Sequence, residues 1–135
     1  FKNLQWITKF NESEIELGVI KKAMEIINKD KREKTLITHY QFMSTILDKR
    51  LNILNRWYLW DNNTHPTENH KYFESYKKLI NKNIRENEVK VIYLLGEENE
   101  ILFDNVKNYF TEVCFESKTI IQKKFSLHKI VNCKK

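Results

Sequence analysis

Two kinds of hydrophobic spacing alternate along the chain. Leu17, Ile20, Ala23, Met24 and Ile27 recur at intervals of three and four, which gathers side chains on one face of a helix. Ser13 and Glu16 form an S-x-x-E capping box ahead of them, so a helix is expected to start there and to dissolve in the charged turn of residues 28–34. Residues 35–40, Thr-Leu-Ile-Thr-His-Tyr, are β-branched and aromatic and predict a strand. A short helix over 41–47 then leads to Arg56-Trp57-Tyr58-Leu59-Trp60, read as a second strand. Residues 61–70 contain the chain's one proline among polar residues and form the clearest loop.

Beyond that loop, Tyr72, Phe73, Tyr76, Leu79, Ile80 and Ile84 mark an amphipathic helix. Residues 89–95 are nearly continuous in apolar side chains, as a strand covered on both faces must be, and Gly96 ends them. Leu102, Phe103, Val106, Tyr109 and Phe110 give another helical face, and two strand-like runs around residues 122–125 close the chain as a hairpin. Helices and strands in alternation predict a small, Rossmann-like α/β fold. Its three layers would be a mostly parallel sheet with helices on both faces and a C-terminal antiparallel hairpin.

Composition narrows the class. The 135 residues suit one domain, and 41% apolar with 13% aromatic residues is enough to build a core. Two glycines and one proline leave little for linkers, so residues 1–135 are read as a single α/β domain. The longest apolar runs are far too short to span a bilayer. The chain opens at Phe1 with no signal-peptide pattern behind it, which reads as a piece excised from a longer protein. A net charge of +6 would suit an anionic partner, but 20 lysines are scattered against 4 arginines. A basic nucleic-acid-binding module is therefore the weakest of the functional readings, since phosphate clamping and base readout favour clustered arginine.

Ligands of open α/β sheets bind beyond the carboxyl ends of the strands. The residues expected there are His39, Tyr40 and Gln41 after the first strand and Asp61 and His65 after the second. They could serve an independent small enzyme or ligand-binding domain as an acid–base pair, although no metal-ligand spacing and no cofactor motif accompanies them. Gly96 is followed by acids, which would repel a phosphate. Trp57 and Trp60 could stack on a sugar, but strand alternation sends them to opposite faces, and core packing accounts for them as well. A hairpin centred between Lys123 and Lys124 sets Cys114 opposite Cys133, close enough for a disulfide and hence for an oxidising compartment. A slipped register would leave two buried thiols instead.

Taken in order, Thr38-His39-Tyr40-Gln41-Phe42, Arg56-Trp57-Tyr58-Leu59-Trp60-Asp61, His65-Pro66, Lys71-Tyr72-Phe73, Val91-Ile92-Tyr93-Leu94-Leu95 and His128-Lys129-Ile130-Val131-Asn132-Cys133 form a recognisable series. It resembles the soluble C-terminal domain of bacterial polytopic membrane proteins of the dolichyl-phosphate-mannose-type glycosyltransferase and envelope-polysaccharide kind. The resemblance implies a non-catalytic domain following the last membrane helix of the same chain, on the extracytoplasmic, periplasmic face. It would help to position a glycan or lipid-linked acceptor. No catalytic residue is carried over, because in such proteins the catalytic acid lies near the first membrane helix. Without the resemblance, the expected location would be cytoplasmic.

Overall fold

A computed structural model describes residues 13–54, 64–111 and 113–133. The chain divides into two compact units, Phe1–Lys31 and Arg32–Lys135. In the first unit, helix α1 (Ser13–Lys29) buries Glu16, Ile20, Ala23 and Ile27, a stripe repeating every three or four residues. Glu16, expected in the capping box, thus belongs to the buried stripe.

The second unit is built on β1 (Lys34–Thr38), α2 (Met43–Leu47), α3 (Phe73–Glu86), β2 (Val91–Leu95), α4 (Asn99–Lys107), β3 (Val113–Ile121) and β4 (Phe125–Asn132). Its strands form one open sheet in the order β1-β2-β4-β3. Strand β1 runs parallel to β2, whereas β2 with β4 and β4 with β3 are antiparallel. Among the described residues the sheet is therefore mixed, with one parallel pairing of three, not mostly parallel. The one strand that runs against the others, β4, lies inside the sheet, because the second arm of the hairpin inserts against β2 and leaves the first arm, β3, on the outside. The expected strand over 56–60 lies outside the described residues.

One face of the sheet carries Ile37, Ile92 and Leu94, which pack with Phe73 and Ile80 of α3, Leu102 and Val106 of α4, and Tyr109 and Phe110 just past α4. Full burial of each such side chain is worth roughly 1.5–3 kcal/mol. On the opposite face Leu36, Tyr93, Leu95 and Phe125 are also buried, and the Tyr93 and Phe125 rings stack with centroids 5.7 Å apart. All five β2 residues are buried, as their continuous apolar sequence requires of a strand covered on both sides.

The two sheet edges differ. Along β1, the Leu36 amide donates to the Leu51 carbonyl at 3.0 Å, Asn52 Nδ2 donates to the Lys34 carbonyl at 3.0 Å, and Thr35 Oγ1 donates to the Asn52 carbonyl at 3.0 Å. Asn52 bends the chain into this position at φ 44°, a left-handed conformation that asparagine tolerates better than most residues. Strand β3 ends the sheet on the other side among the described residues.

The hairpin turns through Gln122, Lys123 and Lys124, with the Lys124 amide donating to the Ile121 carbonyl at 3.0 Å and Lys123 at φ 60°. Glu116 sits opposite Lys129, Ser117 opposite His128 and Cys114 opposite Val131. The register is thus centred between Gln122 and Lys123, one residue nearer Gln122 than expected. Even so, Cys114 is joined to Cys133, with Cα atoms 4.9 Å apart. Cys133 lies just past β4, where the ladder no longer fixes its position, so it reaches Cys114 diagonally. Both cysteines are exposed. No helix of the described residues is long and apolar enough to cross a membrane.

Candidate functional site

The residues expected at the strand ends do not share one surface. His39 is exposed just past β1, its ring 3.9 Å from that of Tyr40. The Tyr40 amide donates to Thr38 Oγ1 at 3.1 Å and Gln41 Nε2 to the Thr38 carbonyl at 3.0 Å, so this corner is a self-bonded turn. His65 is 1% exposed and meets the Tyr76 hydroxyl through Nδ1 at 3.4 Å. Tyr76 packs edge-on against Tyr109, whose hydroxyl donates to the Pro66 carbonyl at 2.9 Å. Burial pushes the Tyr109 hydroxyl far above its ordinary pKa, with Tyr76 adding to the shift, so it stays a neutral donor. A side chain as enclosed as His65 cannot line an open cleft with His39. Trp57, Trp60 and Asp61 lie outside the described residues.

The hairpin holds a buried polar chain centred on a residue for which no site role was expected. His128, 5% exposed, has Ser126 Oγ 2.9 Å from Nε2 and Ser117 Oγ 2.8 Å from Nδ1. Asn99, fully buried at the start of α4, donates to Ser126 Oγ at 3.2 Å, and the Phe103 ring stacks on the imidazole at 3.4 Å. Ser126 Oγ accepts from Asn99 and keeps a hydrogen and a second lone pair, so it can donate to Nε2 or accept from it, with Ser117 taking the complementary role at Nδ1. In either tautomer a serine rather than a carboxylate stands behind the ring, so the group lacks the polarity of a nucleophilic triad. Burial holds the imidazole pKa down at about 4, which keeps the ring neutral. Its role is to cross-link β3, β4 and α4.

A cavity of about 370 Å³ offers more to a ligand. It is lined by Ser44, Lys49, Arg50, Leu51, Asn52, Ile53 and Asn83. Helix α2 stops at Asp48 in a left-handed conformation, φ 49°, and the Lys49 amide returns to the Ser44 carbonyl at 3.2 Å, so the two basic residues follow at once. Arg50 Nη2 donates to Asn87 Oδ1 at 2.7 Å, and Asn87 Nδ2 donates to the Asn83 carbonyl at 2.9 Å. The Leu51 and Asn52 bonds to β1 fix the floor. Two adjacent cations, a serine hydroxyl and an amide on a braced wall can receive an anion that also bears hydroxyls, since guanidinium nitrogens not bound to Asn87 keep their donors.

No group of three or more His, Cys, Asp or Glu side chains among the described residues could hold a metal ion.

No protein-family model, curated protein or solved structure matches this chain. The sequence brings Cys114 and Cys133 together as one of two expectations, the other being two buried thiols, and the structure joins them. The cavity is not legible in the sequence, because Asn83 is remote from Lys49 and Arg50 and the three carry no motif. The adjacency of two basic residues directly after a short helix was the one signal available.

Proposed function

We propose that this chain is a non-catalytic, extracytoplasmic α/β domain that assists a membrane-embedded, glycosyltransferase-like portion of the same protein by positioning a glycan or lipid-linked acceptor. The resemblance of the segments between Thr38 and Cys133 supports the glycosyltransferase part of this reading, and the disulfide between Cys114 and Cys133 is the structural observation that supports its extracytoplasmic location. Both sulfurs belong to exposed residues, where a reducing cytosol would keep them as thiols, so the bond fits an oxidising compartment. The cavity beside α2 supplies the acceptor's place in this reading, with Lys49 and Arg50 facing its phosphate and Ser44 and Asn83 its sugar hydroxyls. The three-layer, Rossmann-like arrangement belongs to the same proposal. It is supported by the burial of Leu36, Tyr93, Leu95 and Phe125 on the sheet face away from α3 and α4.

The test is thiol labelling in intact cells that express the full reading frame, followed by titration of the isotope-labelled chain with a soluble sugar phosphate. The reading expects Cys114 and Cys133 to resist alkylation until reductant is added. It also expects amide shifts at residues 49–53 and 83. Cysteines that alkylate at once, or a reading frame with no apolar spans of about 20 residues upstream, would remove its basis.

A further inference from the structure

We propose that the edge of the sheet that β3 forms among the described residues is a self-recognition surface, on which β3 pairs antiparallel with β3 of a second copy about a twofold axis through Ser117. Strand β3 is the longest strand among the described residues, nine residues, and most of it is exposed. An edge of that length presents a row of backbone donors and acceptors to any extended partner.

The sequence of β3, Val-Cys-Phe-Glu-Ser-Lys-Thr-Ile-Ile, selects the partner. Centred on Ser117, self-pairing sets Glu116 opposite Lys118 of the second copy and Lys118 opposite its Glu116. The same register sets Cys114 opposite Ile120 and Val113 opposite Ile121. Charges therefore meet opposite charges near the axis, and apolar residues meet apolar residues at both ends, which is the pairing that stabilises cross-strand neighbours. A shift of register by two residues in either direction abolishes the double charge match. Isologous contact is the common form for a homodimer, since one self-complementary patch serves both copies.

Neighbouring structure holds the strand in place. Lys129 Nζ lies 3.3 Å from Glu116 Oε2, so the carboxylate is already oriented on that face of the hairpin. The disulfide pins the start of β3 to the end of β4. At the other end, a register irregularity between Thr119 and Ile121 bends the strand, which confines the tightest pairing to its middle. A single pair of strands buries less surface than a standard permanent interface, so the dimer is weak and concentration-dependent.

The test is sedimentation velocity of the 135-residue chain from about 5 μM to 1 mM, with isotope-filtered NMR on a mixed labelled and unlabelled sample. The inference expects reversible dimers and intermolecular contacts at Ser117. It also expects Lys118→Glu to weaken dimerisation about tenfold or more, and Glu116→Lys combined with Lys118→Glu to restore most of the loss, with far-UV circular dichroism confirming the fold of each variant. A chain monomeric at 1 mM overturns it. So does a dimer whose intermolecular contacts lie on another face, or one indifferent to Lys118→Glu.

Discussion

Protonating His128 is expected to destabilise the domain, and the size of the effect can be worked from its surroundings. The imidazole is enclosed between two strands and beneath Phe103, and burial lowers its pKa from 6.5 to about 4. Both serine hydroxyls can rotate to accept from a protonated ring, so the penalty is one of desolvation rather than of a lost hydrogen bond. The group's pKa is depressed on folding, and it is a base, so the unfolded chain binds its proton first as pH falls. Its contribution is intact above pH 6.5 and disappears between 6.5 and about 4. A shift of this size corresponds to roughly 3 kcal/mol, and little solvent reaches the ring to screen it. At pH 5 about 2 kcal/mol of it should be gone. Urea unfolding followed by circular dichroism at pH 7.5, 6 and 5 should show this slope in the native chain and lose it in His128→Asn, which leaves the carboxylate titrations common to both. Side-chain NMR of His128 reads the pKa directly. A native pKa at or above 6.5 would refute the reasoning, because attraction of the imidazolium to the Phe103 face would then outweigh burial.

Replacing both Cys114 and Cys133 with serine opens a loop of sequence separation 19 and should cost up to about 3 kcal/mol in urea unfolding, with reductant producing the same loss in the native chain. Lys123→Gly relieves a left-handed residue in the hairpin turn and should stabilise by about 0.5 kcal/mol, seen as a small rise in Tm. Ile80→Ala removes a fully buried side chain from the cluster between α3 and the sheet and should cost about 2–5 kcal/mol by the same assay. Arg50→Ala should abolish sugar-phosphate shifts at residues 49–53 while changing stability by less than about 1 kcal/mol, since its bond to Asn87 is exposed.

Elements were legible in the sequence where local spacing decides them. The helical repeats of Phe73, Ile80, Leu102 and Val106 and the apolar run of β2 place those elements within a few residues of their observed bounds. Strand order was not legible, because β1 and β2 are buried along their whole length and such strands look alike whether the next neighbour is parallel or antiparallel. The hairpin shows how much depends on register. The expected centre puts Ser117 opposite Ile130, whereas the observed one puts it opposite His128, so an error of two residues hid the polar chain. The cysteine pair survived that error because Cys133 lies beyond the ladder. Enclosure of His65 by Tyr76, Tyr109 and Pro66 depends on contacts between distant segments, which no local pattern records.

The bonds that Leu51 and Asn52 make to β1 also set how many partners the sheet can recruit. A sheet with two bare sides adds copies at both and grows into a fibre, each addition creating the next acceptor. Among the described residues an irregular stretch of the chain's own backbone already covers part of one side, which directs strand addition to the other. A pair joined through β3 would then present that covered side on both outer margins, where further addition is hindered.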